Sequence, residues 1–159
     1  MSRLRPVLVV ALLVAAVGAA VATAVPRVLA HVEESRHEHA IATAARLTAP
    51  AGATTATGCA DAMDAVTVAC WQTDASVDDV SAVLRATLED LPGEPVEKTC
   101  TPAPVPRGSA DVHAQACFLI LRQHGDAHGV FMAVTPRVEP DDVTGDPAVT
   151  GSVVNVLAD

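Results

Sequence analysis

The sequence has no tyrosine, one tryptophan and two phenylalanines in 159 residues. With so few rings, a core must be built from Val, Leu, Ile and Ala, and no aromatic platform is available for stacking bases or sugars. Positive charge is also short. Lys98 is the only lysine, and ten Lys and Arg face nineteen Asp and Glu, a formal net charge of -9. A surface this acidic repels phosphate backbones, which excludes nucleic acid as a partner. Several chemical signatures are missing too. There is no G-x-S-x-G elbow, no phosphate-cradling glycine loop and no H-E-x-x-H pair. Asp78-Asp79 and Asp141-Asp142 are adjacent carboxylates, which diverge and suit capping or solvation better than acid/base work. The chain therefore reads as non-enzymatic, with no cofactor. No family resemblance stands out.

What the sequence does have is a greasy beginning. Arg3 and Arg5 lie in residues 1–5, and residues 6–25 carry no charge. Twenty residues of helix rise about 30 Å, the thickness of a hydrocarbon core. The leading arginines place the amino terminus inside and the remainder outside. Residues 6–25 thus read as a single-pass anchor in the lipid bilayer. The alternative is a signal peptide cut after Ala24 or Ala30, which would release a secreted protein. The Ala, Val, Asp and Arg bias suits a GC-rich bacterial genome, so the expected location is a bacterial cell envelope.

Residues 26–58 read as a helical stalk and linker. The stretch after Pro26 is rich in Ala, Glu, Arg and His, Pro50 stops the helix, and residues 51–58 are small and uncharged. His31, His37 and His39 fall on this stalk and read as solvated.

Residues 59–138 read as a small α+β domain. Residues 65–71 form a first strand. Ser76 then caps a helix whose first turn carries Asp78 and Asp79, and Val80, Val83, Leu84, Leu88 and Leu91 make its apolar stripe. Residues 95–100 form a second strand, and residues 114–123 and 130–137 a hairpin. The predicted order is β-α-β-β-β, an antiparallel sheet with one helix packed on a face. Residues 139–159 form an acidic segment, with 149–157 a possible last strand.

A domain this small needs staples. Cys59, Cys70, Cys100 and Cys117 all lie in the outer part, and an even number in an oxidising compartment implies two disulfides. Pairing of the second and third strands about Gly108-Ser109 puts Cys100 opposite Cys117 and leaves Cys59 with Cys70. Each bond adds roughly 2–4 kcal/mol by restricting the unfolded chain. No C-x-x-C pair is present, which argues against thiol redox chemistry or a four-thiolate metal site.

Two readings remain for function. His124, Asp126 and His128 flank a tight turn, and two imidazoles and a carboxylate suit zinc or copper. The same residues are what any tight turn needs. They support a second reading of the chain, as a small metal-binding or hydrolytic domain. The other clue is that residues 117–121 and 130–134 are apolar on both faces of their strands, as in a strand buried on both sides. The helix covers one face. The other expects an internal cover, from residues 149–157 or the upper stalk, or else an envelope protein partner or a homo-oligomer. Phe118, Leu121 and Phe131 are the candidate contact residues, and an interaction or structural module is the leading function.

Overall fold

The computed structural model describes residues 4–59, 65–103, 114–123, 128–141 and 143–159, with side chains from residue 22 onward. The chain divides into two compact units, residues 1–36 and 37–159. That division falls well before Cys59, where the sequence placed the start of the globular part.

The first unit is helical. Helix α1 runs Leu4–Ala44 and carries Pro26 within it. Val25, Val28, Leu29 and Val32 are exposed on it. Among the described residues, no helix is long and apolar enough to cross a membrane. Most of the uncharged stretch 6–25 lies outside the residues whose side chains are described.

The second unit is α+β, and it takes in the end of α1. Ala40 and Ala44 are spaced one turn apart and buried at 0 % and 1 % exposure. They join Leu47 in the main apolar cluster. Residues read as stalk therefore belong to the core. The physical reason is size: a small domain gains stability from every apolar side chain it can recruit.

Strand β1 is Thr54–Thr55, inside the stretch read as linker. It pairs with β2, Val66–Thr73, placing Thr54 opposite Gln72. Helix α2, Val77–Glu89, follows. The Ser76 Oγ accepts from the Asp79 backbone N–H at 3.2 Å and donates to the Asp79 carboxylate at 2.7 Å, which closes the first turn as expected. Its buried face is Val77, Val80, Ser81, Leu84 and Leu88. Val83, expected in this stripe, is 54 % exposed. Ser81 is fully buried instead, with its hydroxyl donating to the Asp78 carbonyl at 3.1 Å. That bond removes the cost of hiding a hydroxyl.

Strands β3 (Glu97–Pro102), β4 (Gln115–Arg122), β5 (Gly129–Pro140) and β6 (Pro147–Ala158) form an antiparallel meander. The six strands lie in the order β1-β2-β6-β5-β4-β3. The uncertain last segment is thus an interior strand, between β2 and β5. Residues 149–157 cannot cover a sheet face, because they are part of the sheet. The β5–β6 ladder shifts register between Arg137 and Val138, opposite Thr150. Arg137 is central at this bulge. Its Nε donates to the Thr150 hydroxyl at 3.1 Å, and its Nη2 meets the Asp74 carboxylate at 2.7 Å.

Both disulfides form as the hairpin geometry predicts. Cys100 and Cys117 are register partners with Cα atoms 4.1 Å apart, and Cys59 joins Cys70 at 5.9 Å.

Candidate functional site: the open face of the sheet

Side chains alternate across a strand, so each strand of the meander presents two faces. On one face Cys117, Leu119 and Leu121 of β4 line up with Val130, Met132 and Val134 of β5 and Val154, Val156 and Ala158 of β6. All of these are buried at 2 % exposure or less. They form one cluster with Leu84 and Leu88 of α2 and with Ala40 and Ala44 of α1. Helix α2 and the end of α1 therefore serve the same side of the sheet. Leu121, a sequence candidate for a contact surface, sits in this core at 2 % exposure and is withdrawn from that role. Its parity along the strand matches Cys117 and Leu119, not Phe118.

The opposite face carries Phe118 and Ile120 of β4, Phe131 and Ala133 of β5, and Asn155 and Leu157 of β6. The register arranges them in rows. Phe118, Ala133 and Asn155 are cross-strand partners in one row. Ile120, Phe131 and Leu157 are partners in the next. The third row is Arg122 opposite Gly129, with the Asp159 N–H donating to the Gly129 carbonyl at 3.2 Å. Cross-strand partners sit about 4.5–5.5 Å apart, so these side chains make a continuous surface.

Phe118 is 41 % exposed, and a concavity of about 500 Å³ lies over the rows. Its lining includes Phe118, Ile120, Phe131, Ala133 and Leu157, with Asn155 and Asp159 as the polar members among the described residues. Among the described residues, neither expected internal cover is in place. β6 is in the sheet, and the end of α1 packs with the opposite cluster.

Charge gathers at one end. Arg122 lies 3.8 Å from the Glu97 carboxylate, and Asp159 lies 3.7 Å from the His128 Nδ1. Of the residues proposed as metal ligands, His124 and Asp126 lie outside the described residues. The His128 side chain is 12 % exposed, beside Asp159. Among the described residues, no group of three or more His, Cys, Asp or Glu is placed to hold a metal ion.

Sequence reasoning found Phe118 and Phe131, with Ile120 and Ala133 on their respective faces, but missed Asn155, Leu157 and Asp159 as their neighbours. Parity within each strand signals Ile120 and Ala133. Asn155, Leu157 and Asp159 depend on β6 joining β5 across the turn closed by Asp141 and Gly145, whereas the sequence alone leaves residues 149–157 undecided between a strand and a tail.

The chain matches no family model, no curated protein and no solved structure.

Proposed function

We propose that this chain is a non-enzymatic interaction module that works outside the cytoplasm. It is held in the bacterial cell membrane through residues 6–25, or released by cleavage after Ala24 or Ala30. The uncharged leader behind Arg3 and Arg5 supports the export step. The two disulfides are consistent with an extracellular or periplasmic location, since such bonds persist where thiols are not kept reduced.

The observation that carries the interaction reading is the open sheet face. Phe118, exposed, and Ile120 and Phe131, half-buried, form a contiguous apolar surface on the side away from α2, bordered by Leu157, which is buried at 8 % exposure. Exposed apolar area of this kind normally marks a contact site, because leaving it in water forfeits roughly 25 cal/mol for each Å². The occupant is another envelope protein. A second copy of this chain is disfavoured by like charge. Residues 37–159 hold seventeen Asp and Glu against six Lys and Arg, and facing copies repel.

The test is capture from native membranes with the full-length chain and with Phe118→Asp. The variant adds a charge at a position 41 % exposed, and its thermal unfolding is measured beside the wild type to separate a lost contact from a lost fold. The expected result is a discrete partner held by the wild type and lost by the variant at unchanged thermal stability. Identical capture by both overturns the reading. Metal analysis of the same preparations distinguishes the metal-binding alternative. Stoichiometric metal in the wild type that disappears in His124→Ala would favour it.

A further inference from the structure

We infer that the partner docks on the open face with a basic side chain set beside a bulky apolar one, the basic group meeting Asp159. This rests on the contact reading above and specifies its chemistry. The concavity of about 500 Å³ has an apolar floor from Phe118, Ile120, Phe131 and Leu157, and among the described residues one ionisable lining residue, Asp159. The Asp159 carboxylate is 35 % exposed, so it is open to a counterion from outside.

Its surroundings leave that place for a cation. Arg122, on the same row, is drawn to Glu97 at 3.8 Å. His128, at 3.7 Å, is a counterion only when protonated. Between Arg122 and Asp159 the row holds Gly129, which presents no side chain. The rest of the unit acts in the same direction at longer range. Its excess of seventeen acidic over six basic residues steers a basic surface towards it and an acidic one away. The phenylalanine rings supply a second attraction, since an Arg or Lys over a ring face is held by the ring quadrupole. A polypeptide is the occupant that fits, because the acidic excess is spread over the whole unit and is matched by a partner that carries basic groups over a comparable area.

The chain's own composition provides the probe. Its two phenylalanines are both on this face, so full-length protein labelled with 4-fluorophenylalanine gives two fluorine resonances, and both report on the site. The labelled chain is held in phosphatidylcholine nanodiscs and titrated with acetyl-Arg-Leu-Phe-Arg-amide and with acetyl-Glu-Leu-Phe-Glu-amide. The basic peptide is expected to move both resonances at a concentration roughly twofold to fivefold lower than the acidic one, the ratio for an exposed ion pair. Asp159→Asn should bring the two peptides to within about twofold.

Silence towards both peptides, preference for the acidic peptide, or equal response to the two overturns the inference. Equal response removes the charge rule alone and leaves the contact face standing, which the Phe118→Asp capture tests separately. A response to 4-phenylbutylammonium as strong as that to the basic peptide also overturns it, by making the occupant a small amphipathic cation.

Discussion

Replacing Leu84 by Ala, next to replacing Val83 by Ala, probes the packing of α2 with two adjacent residues. Leu84 is 1 % exposed and belongs to the cluster under the sheet, whereas Val83 is 54 % exposed. Truncating Leu to Ala removes about three carbons' worth of burial at ~0.8 kcal/mol each, or about 2.4 kcal/mol. A residual cavity of about 40 Å³ at ~24 cal/mol per Å³ adds about 1 kcal/mol. The expected cost for Leu84→Ala is therefore about 3–4 kcal/mol, a large part of the 5–15 kcal/mol typical of a domain. Val83→Ala loses little buried area, and Ala relieves the χ1 restriction of a β-branched residue in a helix. Its effect should stay within about 0.5 kcal/mol of zero. Urea unfolding of the full-length chain measures both. Trp71 is the sole tryptophan, 9 % exposed and in the same cluster, so its fluorescence follows the core. Comparable midpoint shifts for the two variants, at equal slope, would refute the assigned orientation of α2.

Other positions give sharper or milder outcomes. Gly151 has φ +154° beside the β5–β6 bulge, and a Cβ there would run into the Thr73 carbonyl. Gly151→Ala should cost about 1–3 kcal/mol in thermal or urea unfolding. Gly145→Ala, at φ +73° with open space around it, should cost about 1 kcal/mol. The Thr144 backbone N–H, then that of Val143, donates to the Asp141 carboxylate and holds its pKa below the usual 3.8. A folded-state pKa below the unfolded one favours the folded turn above that range. The contribution is lost as pH falls through the lowered value, and an NMR titration should place the Asp141 midpoint below 3.8. Replacing Cys100 and Cys117 together by Ser should cost roughly 2–4 kcal/mol, and a loss well under 1 kcal/mol would remove the staple argument.

Much of the sheet was legible because local rules and the final packing agree. The Ser76 cap with Asp78 and Asp79, the unbroken apolar runs 117–121 and 130–134 as strands, and the Cys100–Cys117 register all follow from neighbours in sequence. Where they diverge, a competing effect decided. At about 100° per residue, Val77, Ser81, Leu84 and Leu88 share one side of α2, and Val83 falls roughly 120° from their centre. Counting apolar residues hid this, since the buried place goes to a serine whose hydroxyl is satisfied locally.

β6 was obscured by Gly151, which sits within the run and reads as a break, although it serves a bulge. The strand also pairs with β2, about eighty residues away, and pairings that distant leave no local trace. β1 is two threonines in a small-residue stretch and takes its conformation from β2. Of the candidate site, Phe118 and Phe131 were legible from composition, since scarce rings on an apolar run are conspicuous. Asp159 was not, because only the sheet brings it beside them.

The most direct measurement places a photo-crosslinking amino acid at position 118 and, in a parallel strain, at Val143, which is 93 % exposed in the β5–β6 turn. Irradiating native cells should give a discrete adduct of the full-length chain from position 118 and none of that mass from position 143. The same adduct from both positions, or an adduct from 143 alone, would contradict the claim that the open face of the sheet makes the contact.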